Sequence, residues 1–370
     1  MNIPCRSKPL HVFFIVASIS MFSFKSVAND FEKYLDNQVK KGKFNGVVLI
    51  VKNDSIVVKK AYGINFPYSD SLDLNAQFRI ASVSKTFTSM AIMMLKEDGK
   101  LNYDQTVEEF LPHFPYKGIT IRQLMNHTSG LPDYFSLMEE HYQLDLKHDD
   151  PKKLISDQST VMEFLIEQKP ACYFNPGERF QYSNTGYVVL ALIVEKISGV
   201  DFPSYLERNI FKPFKMDATS VYKFIPGVDS TMPYRAYGFK QDKKGNKIWN
   251  DTHFLNGVYG DGGIYSTAED LLKWDKALYT DSLVKQSTLF EAFTQTVEMP
   301  FPKGHRYGLG WEIHQWDEND RIVEHGGSHV GFKACLLRDV KNKNTIIVLS
   351  NNTLDNPRKF VLQLQKLLEN

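Results

Sequence analysis

Cysteine is nearly absent from this chain of 370 residues, which has three, Cys5, Cys172 and Cys335. So few cannot make a disulfide framework, and the fold has to rest on a packed core. An excess of one charge is lacking as well: 44 Lys and Arg stand against 43 Asp and Glu, a net +1. That balance gives no electrostatic case for nucleic acid or an anionic membrane surface as a partner. Long hydrophobic runs are also missing, since the run from about Leu10 to Phe24 falls short of the ~20 residues that a bilayer-spanning helix needs. There is no internal repeat and no low-complexity linker. Neither Gly-x-Ser-x-Gly nor His-Glu-x-x-His occurs, which removes the nucleophile turn of an α/β-hydrolase and a helical zinc-protease site. Glu324, His325 and His329 do not rescue a metal reading, because Gly326-Gly327 opposes the helix that would align the imidazoles. No metal and no cofactor is expected.

Residues 1–28 read as an export signal: Arg6 and Lys8 precede the apolar run, and Ser26-Val27-Ala28 offers small residues at a cleavage site. The expected location is periplasmic or secreted, without stable membrane insertion once the signal is removed. Cys5 lies before the apolar run, where it is not placed to carry a lipid. Discounting Arg6, Lys8 and Lys25 turns the net charge slightly negative. Cys172 and Cys335 then remain; an oxidising location permits a bond between them without requiring one, and two separate buried thiols are expected.

The remaining 29–370 fit one large globular unit. Val47 to Val51, then Asn53-Asp54, then Ile56 to Val58 predict a β-hairpin with a tight turn, preceded by an amphipathic helix around Asp30 to Val39. Four more strands are predicted at Tyr307 to Trp316, Ile322 to His325, Phe332 to Asp339 and Thr345 to Leu349. A last helix follows from Asn356-Pro357, with Asn as N-cap and Pro at the first helical position. Between the two ends the patterns are mainly helical: Thr120 to Asn126, Thr160 to Gln168, Thr185 to Ser198, Phe202 to Asn209 and Ser266 to Leu278. This layout predicts an α+β fold in which an antiparallel sheet, from about 29–100 and 300–370, is built from both chain ends and flanked by helices. A mainly helical region of about 101–299 is inserted, with the working groove between the two.

The stretch with a chemical end is Phe78-Arg79-Ile80-Ala81-Ser82-Val83-Ser84-Lys85-Thr86-Phe87. Phe87, Met90, Ala91, Met94 and Leu95 recur at helical spacing while Ile92 and Met93 fill the other side, so the helix after Ser84 is enclosed nearly all round. Ser82 sits where the first amides of that helix lack partners and the dipole is positive. Lys85, one turn on, reaches the same face and can accept the serine proton if burial lowers its pKa. Ser220 to Lys223 and Ser282 to Lys285 repeat the spacing, but neither opens a long apolar helix. Context therefore favours Ser82 as a nucleophile over a plain helix cap.

Two further stretches accompany it. Tyr182-Ser183-Asn184 lies in the turn before the apolar helix Val188 to Val194, and Glu324-His325-Gly326-Gly327-Ser328 ends a strand. Taken singly, each has an ordinary reading: a half-buried aromatic, an N-cap, a glycine turn with positive φ. In this order, however, they resemble the serine β-lactamase and penicillin-binding protein superfamily, in its branch of class C β-lactamases, D-alanyl-D-alanine carboxypeptidases and esterases. The resemblance covers essentially the whole mature chain. Leu124-Met125-Asn126-His127-Thr128-Ser129-Gly130-Leu131, Asn175-Pro176-Gly177-Glu178 and Gly260-Asp261-Gly262-Gly263-Ile264-Tyr265-Ser266-Thr267 add to it.

The resemblance implies a β-lactamase/transpeptidase-like fold and a serine acyl hydrolase acting through a Ser82 acyl-enzyme. Lys85 and Tyr182 would share the proton traffic, with Lys85 lowering the tyrosine pKa and burial lowering that of the lysine. Asn184 would orient Lys85 and hold the acyl group. The amides of Ser82 and Ser328 would form the oxyanion hole. Gly327 would leave room for substrate along the strand. His325 departs from the β-lactamase pattern, in which a fixed lysine cation receives a carboxylate, and Gly326 stands where Thr is common. Both departures favour an esterase or D-amino-acid peptidase over a β-lactamase or D-alanyl-D-alanine carboxypeptidase. The expected partner is a small-molecule or short-peptide substrate, with walls from Tyr134, Phe135 and aromatic residues near Trp249 to Tyr259. A catalytically slow binding or scaffold protein is the rival, though it has no physical need for Ser82, Lys85 and Tyr182 together. No signature of a particular assembly is present.

Overall fold

A computed structural model describes residues 28–68, 70–142, 155–223, 232–294, 296–317, 320–352 and 357–369. The export signal and the Asn356 N-cap lie outside the described residues. Eight strands form one antiparallel sheet. They are β1 (Gly46–Lys52), β2 (Ser55–Tyr62), β3 (Val297–Glu298), β4 (Arg306–Tyr307), β5 (Glu312–Asp317), β6 (Asp320–His329), β7 (Phe332–Asp339) and β8 (Asn344–Ser350). Their spatial order is β3-β4-β5-β6-β7-β8-β1-β2, so the first hairpin is stitched to the last strand. Gly46 pairs with Ser350 and Val51 with Thr345. Asn53 and Asp54 both have positive φ, 49° and 61°, the conformation that a two-residue hairpin turn requires.

β1 and β8 are continuous β-branched and aliphatic runs because both of their faces are covered. Val48, Ile50, Ile346 and Val348 point to a layer made by the two terminal helices, α1 (28–40) and a C-terminal helix over Pro357–Glu369. That layer supplies Phe31, Leu35, Phe360 and Leu364. Val47, Leu49, Val51, Ile347 and Leu349 point the other way, into the larger core shared with the inserted region. At the centre of that core lie α2 (Ser84–Glu97) and α3 (Asn184–Ser198). Both are buried on nearly every side, as their uninterrupted apolar sequences require. The fold is thus the mixed α+β arrangement expected, with the sheet contributed by strands near both termini.

Several expectations need correction. The single strand Tyr307 to Trp316 is two, β4 and β5, broken at Gly308–Trp311 where Gly310 takes a φ of 90°. The strand expected to stop at His325 runs on to His329, and neither Gly326 nor Gly327 has positive φ. The helix expected from Phe202 to Asn209 is regular to Leu206 and wider-wound over Glu207–Phe211. The insert also contains strands, including the hairpin Phe239–Gln241 and Lys247–Trp249, with Lys243-Lys244 near its tip. Cys172 and Cys335 are separate free thiols, but only Cys335 is buried; Cys172 lies exposed on a surface loop. No helix among the described residues is long and apolar enough to cross a membrane.

Phe87 on α2 shows what holds the layers together. It is fully buried, stacks on Trp274 with ring centroids 4.2 Å apart and meets Phe211 edge-on at 5.8 Å. Removing such a ring leaves a cavity between two aromatic neighbours. Phe87→Ala is expected to lower unfolding free energy by about 3–5 kcal/mol, read from the urea midpoint at unchanged slope.

Candidate functional site

Ser82 is delivered by a short relay. Phe78–Arg79 pairs with Ile264–Ser266 in a small sheet, and the Ile80 amide donates to the Ile264 carbonyl at 2.9 Å. The chain then turns through a 3-10 segment, Ala81–Val83, directly into α2. Ala81 holds a φ of 47°, a left-handed conformation that alanine adopts only when its surroundings enforce it. Here the clamp is the strand behind it, whose Ile264 amide also donates to Ser84 Oγ at 3.3 Å.

One turn into α2, Lys85 is fully buried. Its Nζ donates to Ser82 Oγ at 3.1 Å, Asn184 Oδ1 at 2.8 Å and the Asp261 carbonyl at 2.8 Å. Three acceptors therefore match the three protons of an ammonium. Burial nevertheless lowers the Lys85 pKa to about 8, with the charges of Asp261 and Asp133 pulling the other way. Asn184 is held in turn: its backbone amide and Nδ2 both donate to Asp133 Oδ2, at 2.7 and 3.0 Å. That leaves Oδ1 facing the lysine. Ser183, not Asn184, occupies the N-cap position of α3. The carboxyls of Asp133 and Asp261 are themselves raised, chiefly by burial.

Tyr182 approaches the same hydroxyl, and a hydrogen bond with Ser82 is the chief influence lowering its pKa. Burial outweighs it and raises the phenol well above its ordinary value. The expectation that Lys85 would lower Tyr182 is thus overturned: desolvation dominates, and the Lys85 Nζ stands over the ring, 5.0 Å from its centroid. His127 packs on the Tyr182 ring with centroids 4.2 Å apart, accepts the Ser183 amide at Nδ1 at 3.1 Å, and touches Tyr307 at 4.6 Å. Its Nε2 is buried with no partner among the described residues. Tyr307 Oη lies 2.9 Å from His325 Nε2, and His325 Nδ1 lies 2.8 Å from the Gly326 carbonyl. A carbonyl only accepts, so the proton belongs on Nδ1 and Tyr307 donates to Nε2. Burial, then Lys85, push the His325 pKa down to about 3, so this imidazole is neutral and offers no fixed cation.

The β6 segment from His325 to His329 pairs with β7 on one side and runs past Ser82 on the other. A Cβ on Gly327 would lie 2.2 Å from the Ile80 carbonyl oxygen and 3.1 Å from Ser82 N. Gly327 therefore lets the strand approach the nucleophile's own backbone, and the notion that it clears space for substrate is corrected. Gly326 is the glycine whose Cβ direction is open, and it lines the cleft. Ser328 is exposed beside it and accepts from Lys333. The cleft, of about 630 Å³, is lined by Ser82, Tyr182, Asn184, His325, Gly327 and Ser328, and by Tyr134, Phe135, Leu255 and Val258. Trp249 is not part of it; that wall is aliphatic, because the hairpin carrying Trp249 turns to solvent. Six of the seven expected residues thus line one cleft, and the seventh, Lys85, lies buried behind it with its Nζ on Ser82 Oγ. The structure adds His127, Asp133, Asp261 and Tyr307, whose only sequence signal was that His127 and Asp261 lie in the accompanying stretches.

A serine hydroxyl, a buried amine and a phenol converge here on an α+β scaffold. The chain belongs to the Beta-lactamase family, whose model matches residues 31–368, and is a serine hydrolase of that β-lactamase-related group. Penicillin-binding protein 4* of Bacillus subtilis is 35% identical over 324 residues, 85% of this chain and 70% of that one. The penicillin binding protein from Bacillus halodurans has the same fold with a TM-score of 0.76 at 28% identity, covering 90% of this chain and 98% of its own. The D-amino acid amidase from Ochrobactrum anthropi shares the fold at a TM-score of 0.74 and 21% identity, covering 94% and 97%.

The two glycines separate structure from access. Gly327→Ala is expected to push β6 away from Ser82 and cut acylation on the order of 100-fold, which a displacement of about 1 Å can cost. Gly326→Ala is expected to leave acylation near wild type, since its Cβ meets nothing. Rates of adduct formation with a fluorophosphonate on both variants, with circular dichroism as the folding control, decide it.

Proposed function

We propose that the chain is an exported serine acyl hydrolase that cleaves esters or small amides through a Ser82 acyl-enzyme. The observation that carries this reading is the Lys85 amine, buried and 3.1 Å from Ser82 Oγ. With a pKa of about 8, roughly one Lys85 in ten is neutral at pH 7. The neutral amine takes the Ser82 proton as Oγ bonds to the substrate carbonyl carbon. Tyr182, kept as a phenol, passes its proton to the leaving alcohol or amine as that bond breaks and recovers one from Lys85. Water then attacks the acyl carbon by the reverse route and frees Ser82. Asn184 holds Lys85 and contacts the acyl group, and the amides of Ser82 and Ser328 receive the oxyanion. Residues 1–28 serve as the export signal, and the mature domain spans 29–370.

Neutral His325, with both ring nitrogens engaged, favours a substrate that needs no cation there. Esters and D-amino-acid amides therefore stand ahead of β-lactams and D-alanyl-D-alanine peptides. The fold shared with a D-amino acid amidase is compatible with that order.

Ser82→Ala is expected to lose all turnover in a panel of p-nitrophenyl esters, a D-amino-acid amide, nitrocefin and a D-Ala-D-Ala peptide. Intact-mass spectrometry should show one fluorophosphonate on wild type and none on the variant. Unchanged turnover in Ser82→Ala overturns the assignment, and a penicillin adduct without hydrolysis of any substrate favours a slow binding protein.

The pH profile tests the base. Because only the unprotonated amine accepts a proton, kcat/KM is expected to rise with pH through a midpoint near 8. In Tyr182→Phe the rate should fall while that midpoint stays. If the midpoint disappears with the phenol, Tyr182 is the base instead.

A further inference from the structure

On the far wall of the cleft, a second cluster of side chains takes no part in the reaction proposed above. Glu312 and His314 lie two residues apart on β5, and the register sets Glu324 of β6 directly opposite Glu312. His305, just before β4, completes the group, its ring centroid 4.3 Å from that of His314. One donor atom from each of His305, Glu312 and His314 lies within 4.8 Å of the others, and His314 Nε2 is 2.6 Å from Glu324 Oε1. The Glu312 and Glu324 side chains are only 19% and 8% exposed. Like charges facing each other across a strand pair destabilise it, and burial adds desolvation, so the arrangement calls for a cation between them.

Arg358, in the first turn of the C-terminal helix, marks where that cation sits. Its Nη2 is 2.9 Å from His305 Nδ1, 3.5 Å from His314 Nε2, 3.6 Å from Glu324 Oε1 and 4.0 Å from Glu312 Oε2. One positive nitrogen is thus surrounded by two imidazoles and two carboxylates drawn from three places in the chain. Since Arg358 donates, His305 Nδ1 must hold an unprotonated lone pair aimed at the centre, which is the state that a metal ligand needs.

We propose that His305, Glu312, His314 and Glu324 bind a divalent transition-metal ion of the zinc class in exchange for the Arg358 guanidinium. Two nitrogen and two oxygen donors suit zinc or cobalt better than calcium or magnesium, which take oxygen shells. With the donor atoms 2.9 to 4.0 Å from the Arg358 nitrogen, bonds of about 2.0–2.2 Å require them to draw in by about 1–2 Å around the ion. Arg358 is 30% exposed and can swing outward, and the two cations exclude each other by repulsion. The spacing of these residues carries no metal motif; strand register alone assembles them.

The test uses the mature protein, stripped with a chelator and titrated with Co²⁺ by visible absorption and with Zn²⁺ by calorimetry. One equivalent is expected to bind in the micromolar range, with d–d bands of mixed nitrogen and oxygen ligation. His314→Gln and His305→Ala should each weaken it on the order of 100-fold, with circular dichroism and thermal melting reporting their fold. Arg358→Gln should tighten it. Two outcomes overturn the site: no binding to wild type at millimolar metal, or binding that persists unchanged in folded His314→Gln and His305→Ala.

Discussion

A lysine ammonium enclosed by protein is the constraint that this molecule is arranged to satisfy. Taking such an ion from water costs several kcal/mol even after relaxation, and the chain answers with an acceptor for each of its protons. Those acceptors come from the turn at Ser82, the head of α3 at Asn184 and the loop at Asp261, the last two 99 and 176 residues away in sequence. One charge therefore fixes the mutual placement of three segments. The compensation is incomplete: the two nearby carboxyls support the charge, yet desolvation still prevails and brings the amine's pKa down to about 8. Full compensation would leave an inert cation.

The groups around the amine are held in the opposite condition. Burial keeps Tyr182 and Tyr307 as phenols and His127 and His325 as uncharged imidazoles. Their stacked rings form a wall with little freedom to rearrange, and Tyr182 inherits its position from His127 below and Tyr307 beside it. Proton movement is thereby confined to a few oxygens and one nitrogen, with aromatic carbon on most other sides.

Much of this was legible in the sequence, and the reason is local. The helix after Ser84 and the helix after Ser183 are apolar without interruption, and the Asn53-Asp54 turn has the residues its backbone angles demand. What escaped reading depends on contacts distant in sequence. Gly326 and Gly327 carry a local signal for a turn, but continued pairing with β7 keeps them extended. The break at Gly308–Trp311 is masked because apolar Leu309 and Trp311 alternate there with Gly308 and Gly310, the glycines being its local sign. The buried carboxyls whose charges act on the amine, Asp133 and Asp261, come from loops, where no periodicity points a side chain. Leu255 and Val258 line the cleft for the same unreadable reason.

The middle of the sheet joins a strand near the start of the chain to one near its end, with Asn45 and Asn351 hydrogen-bonded across 306 residues. The central pairing therefore cannot form until β8 has been synthesised. Closing so long a loop is a non-local step of the kind that slows folding. A cut anywhere between Asn45 and Asn351 would turn the joining of the sheet's two halves from a loop closure into an encounter between separate pieces.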